Sequence, residues 1–483
     1  MSSAPAGTDT ARAVTVSLLA LAAVLLCWQG VSWAFQPGGF LFLDELTNIP
    51  WQRHFPYADL VHVLPQQVVH DRPTGFVLEY FLYQRFGFRY SPQLACFLLF
   101  HFANCILMYV LFRRLGIGAP LTAGCVGLFG VLCTTAQSVT YLGNSFDVLC
   151  IFFLLGSTVA ILGKRPWHSW LSALLYLLAV RSKETGIVIP VFLTVLVAWR
   201  ETGAALEWPT ARALFRRLWP HYAILAVLGF CYLSLHREQP IPAGNPYHLD
   251  FAPATIVKSL GYYLAMLVQR EDRATWAPVA IVAVMAVYSL VRRNAGMVFA
   301  LSAFFLTILP AAALPLHRSP VYTYCPQIFL LLAVCFLLED GLKSPRLRDT
   351  TRNWASVAVS VLFLCYGLAV RTSPYYRFRI EYERNVRAIS ARTAADVQLK
   401  LGNIGHGARV YVNNGTEPPL LMMAGPCYFL KLMRHDDTVT CEMQEPYERL
   451  RAEYDRDRHE KYLVDYFKDG SLEVRMQASG AEP

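Results

Sequence analysis

Residues 97–116 read FLLFHFANCILMYVLFRRLG. The run from Phe97 to Phe112 carries no Asp, Glu, Lys or Arg, and it ends on the pair Arg113 and Arg114. Taken from residue 91, it reaches the ~20 apolar residues that a bilayer core demands of a crossing helix. The apolar residues are continuous and do not alternate, so the segment reads as a helix and not as a strand of a closed barrel. A helix satisfies all its backbone hydrogen bonds internally, which lipid requires. The arginine pair marks the end of the run as cytoplasmic. Inside it, His101 and Asn104 read as polar residues that hydrogen-bond a neighbouring helix.

The same pattern recurs in both directions along the chain. Spans are expected at roughly 13–34, 91–112, 119–136, 146–163, 167–181, 186–200, 219–236, 275–291, 296–316, 321–338 and 354–371. The composition agrees, with 55% of the 483 residues hydrophobic and 16% charged, against about 25% charged in an ordinary soluble domain. The first run, Ala13–Trp33, follows Arg12, exceeds a signal-peptide core in length and ends on a poor cleavage sequence, Val31 to Phe35. It reads as a retained first span.

The net charge of +9 sits in short clusters between apolar runs, so it is a topology signal and not a nucleic-acid footprint. Arg113/Arg114, Lys164/Arg165, Arg212/Arg216/Arg217, Arg292/Arg293 and Lys343/Arg346/Arg348/Arg352 fall on one side with the N-terminus if the spans number about eleven. Residues 252–269 are left out of that count. They hold Lys258, run into Arg270–Arg273, and carry Ile256, Leu260, Tyr263, Leu264 and Leu267 on one helical face. An amphipathic helix in the outer interface is expected there.

The expected fold class is therefore an all-α polytopic membrane protein with a small C-terminal α/β extracytoplasmic domain. Residues 1–371 form the transmembrane part and 372–483 the tail. A helix over Glu381–Leu401 and a strand over Ala408–Asn413 are expected in that tail. Most of the twelve cysteines lie in apolar runs and behave as small hydrophobes. Cys427 and Cys441 lie in the polar tail, where an oxidising compartment would let them pair.

The candidate functional residues cluster on the outer side of this topology. Asp44 and Glu45 follow the first span, and a carboxylate there can take a proton from an attacking hydroxyl. Arg72, followed by Pro73, offers a fork that matches phosphate oxygens. Arg181-Ser182-Lys183-Glu184-Thr185-Gly186 interrupts two short spans, with Arg181 and Lys183 suited to a lipid phosphate and Glu184 as their internal partner. Arg318 precedes Tyr322 and Tyr324 at the start of a later span. Asn144 and Asp147 border the span at 146–163. Taken singly, the acids and the cations also fit solvated turns, and the tyrosines fit an aromatic belt.

Six stretches carry a family resemblance: FLDELTN (42–48), RPTGFVLEYFLYQRFGF (72–88), the opening run at 97–116, VTYLGNSFDVLCIFFLL (139–155), LAVRSKETGIVIPVFL (178–193) and HRSPVYTYCP (317–326). Together they resemble the GT-C superfamily of membrane glycosyltransferases, of the protein O-mannosyltransferase and aminoarabinose-transferase type. They are also similar to bacterial relatives of the transmembrane mannosyltransferases with tetratricopeptide tails, although no such repeat occurs in this tail.

The resemblance implies an inverting sugar transfer from a polyprenyl-phosphate-linked donor to a glycan, lipid or protein hydroxyl. Asp44 or Glu45 would be the base. Arg72, Arg181, Lys183, Arg318, Tyr322 and Tyr324 would face the carrier phosphate. No cofactor or nucleic acid is called for, no metal is demanded although the acidic pair Asp44 and Glu45 could hold one, and the lipid bilayer is the expected surrounding. A bacterial cytoplasmic membrane with the site facing outward is the expected location. A lipid or solute transporter, or a non-catalytic subunit of the same fold, remains the alternative.

Overall fold

The computed structural model describes residues 7–34, 72–202, 208–235, 244–245, 248–267, 276–343, 348–413, 430, 438–442, 454–455, 461–467, 469 and 471–477. Asp44 and Glu45 lie outside them. Among the described residues, each stretch read as a span is mostly helical. The helices up to residue 202 are α1 (Gly7–Ala34), α2 (Pro73–Phe86), α3 (Tyr90–Arg114), α4 (Ala119–Val131), α5 (Cys133–Thr140), α6 (Ser145–Ile161), α7 (Pro166–Val180) and α8 (Ile189–Thr202). From residue 208 onward lie α9 (Trp208–Leu235), α10 (Pro253–Leu267), α11 (Trp276–Val291), α12 (Ala295–Ala312), α13 (Tyr324–Leu342), α14 (Asp349–Arg371) and α15 (Pro374–Leu401).

Among the described residues, five segments are long and apolar enough to cross a membrane: Tyr90–Arg114, Leu142–Ile161, Ala295–Ala312, Pro320–Leu342 and Asp349–Arg371. A sixth arises if the bent pair α4 and α5 is one span. The chain is a helical, multi-pass membrane protein.

The stretch expected as one helix at 119–136 is broken. Leu132 takes an extended conformation (ψ 144°), and the two halves meet at 54°. The break leaves polar Thr134, Thr135 and Ser138 buried, where Thr134 donates to Gln327 Oε1 at 2.8 Å and Ser138 donates to the Val321 carbonyl at 3.2 Å. A side chain on α13 and a backbone carbonyl in the turn before it thus meet the polar groups of α5, as membrane interiors require.

Close approach elsewhere depends on small residues. A Cβ built on Gly124 of α4 would stand 2.7 Å from the Ser360 Cα of α14, so those two backbones meet only because the side chain is absent. Ser360 in turn donates to the Pro120 carbonyl at 2.6 Å. The amphipathic segment forms α10. Asp250 opens it, accepting from the Ala252 amide at 2.8 Å and the Thr255 hydroxyl at 2.6 Å. These hydrogen bonds hold the Asp250 carboxyl below its ordinary pKa, the Thr255 bond contributing most. Ser259, Tyr263, Leu264 and Met266 are its buried face.

The residues divide into two compact units. The first comprises Met1–Ser32, His62–Gly75 and Cys96–Tyr376, and the second includes Phe76–Ala95 and Arg377–Pro483. The helix α15 begins at Pro374, seven residues before the expected Glu381, because nothing in Pro374–Ile380 breaks a helix after its first residue, and from Arg377 onward it belongs to the second unit. Arg387 of α15 lies over the Tyr90 ring at 3.5 Å.

Four strands follow: β1 (Arg409–Asn413), β2 (Thr440–Glu442), β3 (Lys461–Tyr466) and β4 (Leu472–Gln477). Their order is β2-β1-β3-β4, with β1 parallel to both β2 and β3, and β4 antiparallel to β3. Val410 and Val464 are buried, and Tyr411, Tyr454 and Leu463 form a small core. Cys441 on β2 is disulfide-bonded; Cys427 lies outside the described residues.

Candidate functional site

The site lies in the first unit and is built on the turn between α7 and α8. That turn is forced by sequence. The amides of Ser182 and Lys183 both donate to the Ala179 carbonyl at 3.0 Å, and the Ser182 hydroxyl donates to the Leu178 carbonyl at 2.7 Å. The chain then enters a short 3-10 turn, Glu184–Val188. Gly186 sits at its centre, where a Cβ would stand 2.8 Å from the Val180 nitrogen and 2.9 Å from its Cα. Backbone cannot yield as a flexible side chain can, so this crossing needs glycine.

Three consecutive residues of the turn, Arg181, Ser182 and Lys183, are buried. A solvated hairpin turn would expose them. The Arg181 carbonyl accepts from the Thr74 amide at 3.2 Å, which draws the Arg72-Pro73 stretch against the turn. Arg72 then grips Glu184 with both arms of its guanidinium, Nε to Oε2 at 3.1 Å and Nη2 to Oε1 at 3.0 Å. Its guanidinium carbon lies 5.1 Å from the centre of the Phe146 ring, which holds the fork in place.

Lys183 points the other way, into α6. Its Nζ is 3.1 Å from Asp147 Oδ2, and both side chains are shielded, at 8% and 11% exposure. Tyr322 lies across from it, with the ring centre 5.8 Å from Nζ. Glu184 is therefore the partner of Arg72, and Asp147 takes the role that sequence reasoning gave to Glu184 for Lys183. Asp147 was noticed only as a residue bordering a span. The signal for it was an acid in the first turn of an otherwise apolar helix, which lipid tolerates only with a partner or a function.

Electrostatics follow from this pairing. Burial alone would lower the Arg72 pKa, but the charges of Glu184 and Asp147 outweigh it and raise the value. Burial likewise favours a neutral Glu184, yet Lys183 and Arg72 overcome that and hold its carboxyl below the ordinary range. Both groups are charged at neutral pH.

The later motif contributes from α10 and the turn before α13. Arg318 donates from Nε to the Ser259 hydroxyl of α10 at 3.2 Å. Tyr322 and Tyr324 separate. Tyr322 stays beside Lys183, whereas the Tyr324 hydroxyl turns inward to His101 Nδ1 at 2.9 Å and receives Asn104 Nδ2 at 3.1 Å. His101 and Asn104 thus make the interhelical hydrogen bonds that their sequence setting suggested. Tyr322 and Tyr324 still share a small cavity of about 20 Å³ with Asp147, Thr185, Thr307 and Cys325, room for about one water. Among the described residues, no group of three or more His, Cys, Asp or Glu could hold a metal ion.

No protein-family model matches the sequence, and no curated protein matches it. Solved structures similar to this chain include two membrane glycosyltransferases. One is the oligosaccharyltransferase of Archaeoglobus fulgidus in the apo form, at 10% identity and a TM-score of 0.49, covering 88% of this chain and 64% of that one. This chain therefore spans less than two thirds of that protein's length. The other is ArnT from Cupriavidus metallidurans in the apo state, at 13% identity and a TM-score of 0.43, covering 95% of this chain and 93% of that one. At such identities the likeness concerns the fold alone.

Proposed function

We propose that this protein is an inverting membrane glycosyltransferase that takes a sugar from a polyprenyl-phosphate-linked donor and passes it to a hydroxyl of a glycan, lipid or protein acceptor. The observation that carries this reading is the convergence of Arg72, Lys183 and Tyr322 around two carboxylates at the ends of apolar helices. A phosphate carried on a lipid must meet protein where apolar helices end, and there it needs charge-assisted donors.

In this reading Arg72 and Lys183 hold the carrier phosphate and stabilise the charge it gains as the glycosidic bond breaks. Arg181 and Arg318 add positive charge, and Tyr322 offers a hydroxyl. Tyr324 contributes through the wall of the site, since its own hydroxyl is engaged with His101 and Asn104. Asp44 or Glu45 is the base that removes the acceptor proton. The bilayer supplies the donor laterally, with α10 beside the lipid's path. The site faces outward from a bacterial cytoplasmic membrane, residues 1–371 form the catalytic part and 372–483 the extracytoplasmic tail.

The test is incubation of purified full-length protein with candidate polyprenyl-phosphate sugars, scoring release of free polyprenyl phosphate. Release that needs both an acceptor and an intact Lys183 supports the reading. Absence of release across the common donor sugars, with Lys183 variants indistinguishable from the parent, overturns it.

A further inference from the structure

The two ion pairs of the site are unequal. Lys183 and Asp147 are both shielded, whereas the Glu184 side chain is 52% exposed although Arg72 holds it by two hydrogen bonds. Its carboxylate occupies the fork of Arg72 in the manner of an incoming oxyanion, with two parallel N–H···O contacts at 3.1 and 3.0 Å. A phosphate presents two oxygens to the same fork in the same way. The fork does not depend on Glu184 for its position. Phe146 lies against the guanidinium, and the Thr74 amide ties the adjoining backbone to Arg181. Nor does the backbone around Glu184 depend on the pair, because Gly186 donates to the Lys183 carbonyl at 3.0 Å and fixes the turn.

We infer that Glu184 is the resting occupant of a phosphate site, seated on Arg72 when the carrier is absent and displaced into solvent when the carrier phosphate arrives. The inference rests on the carrier-phosphate reading above. Displacement needs only rotation of the Glu184 side chain, which its exposure permits. Lys183 keeps Asp147, so the site never presents two unpaired cations to water or lipid. Glu184 thus sets a threshold: a ligand enters the fork only if it brings at least one anionic oxygen pair that outcompetes an internal carboxylate. Uncharged prenols are excluded, and phosphate-bearing lipids are admitted.

The test is titration of farnesyl phosphate into the detergent-solubilised full chain, followed by calorimetry. Removing the competitor in Glu184→Gln is expected to tighten binding about 1.4- to fivefold, the scale of a largely exposed ion pair. Glu184→Ala serves as a second variant that removes the same contact, and either one decides. Arg72→Lys keeps the charge but loses the fork, so adding Glu184→Gln to it is expected to leave affinity unchanged. An equal gain in both backgrounds means that bulk charge, not displacement, is at work, and overturns the inference. So does unchanged or weaker binding in Glu184→Gln when the parent binds and Arg72→Lys weakens that binding, a result that leaves the carrier-phosphate reading standing. If the parent protein does not bind farnesyl phosphate, both readings fall together.

Discussion

Lys183 Nζ lies 3.1 Å from Asp147 Oδ2, a bridge between the turn after α7 and the first turn of α6. Both side chains are shielded from solvent, so neither can exchange its partner for water. Breaking such a pair from one side leaves a buried charge and typically costs about 3–5 kcal/mol. Asp147→Leu or Lys183→Met alone is expected to lower the apparent Tm sharply, measured by thermal aggregation in detergent. The double substitution is expected to recover most of the loss, since two apolar side chains leave no orphan. A double variant as unstable as the worse single one counts against the pair as a stability element.

Gly186 is a second point of leverage. A Cβ there would collide with the backbone of Val180 and Ala179, the latter at 3.0 Å from its carbonyl carbon. Gly186→Ala is expected to displace the turn that presents Lys183 and Glu184, and to reduce both the apparent Tm and carrier release. Gly229, where nothing lies within 4 Å, is the control: Gly229→Ala is expected to leave both unchanged. Normal carrier release in Gly186→Ala counts against the turn as the platform of the site.

The Arg72–Glu184 pair fixes a pH dependence. The folded-state pKa of Glu184 is depressed, so the pair's contribution is fully present above the carboxylate's unfolded value and is lost as pH falls through the lower folded value. The difference in apparent Tm between the parent and Glu184→Gln is expected to stay constant from about pH 8 to about pH 5 and to shrink only in more acid solution. A difference that already shrinks between pH 8 and 6 means that Glu184 does not carry the titration assigned to it.

How much of this was legible in the sequence depends on the range of the interaction. The helices were, because apolar runs ending in basic pairs are a local signal, and α10 was recognisable from one apolar face. The break at Leu132 was not. No proline or glycine stands in Val131–Thr134, and the bend is held by Gln327, 193 residues from Thr134. The cations of the site were readable as motifs, but their partners were not. Arg72 meets Glu184 across 112 residues and Lys183 meets Asp147 across 36, separations that no local pattern encodes. Tyr324 illustrates the same limit. Its spacing from Tyr322 placed both at a helix start, and only the fold turns one of them toward His101.

The proposed mechanism makes the sharpest prediction, and it falls on Asp44 and Glu45, which lie outside the described residues. Asp44→Asn is expected to abolish carrier release while leaving farnesyl phosphate binding within about twofold of the parent, a change on the scale of experimental error. The amide keeps the carboxylate's shape but cannot accept the proton of the attacking hydroxyl. Lys183→Ala and Arg318→Ala are expected to weaken binding as well as turnover, because in the proposed mechanism each removes charge that faces the phosphate before and during bond breaking. Lys183→Ala also unpairs Asp147, so its apparent Tm must be measured alongside; a binding loss that appears equally in Asp147→Asn belongs to stability and not to the phosphate. Glu45→Gln separates the two acids of the loop. If Asp44→Asn turns over normally and Glu45→Gln does not, the base is Glu45. If both remain active, no acid of that loop takes the proton, and sugar transfer loses its base.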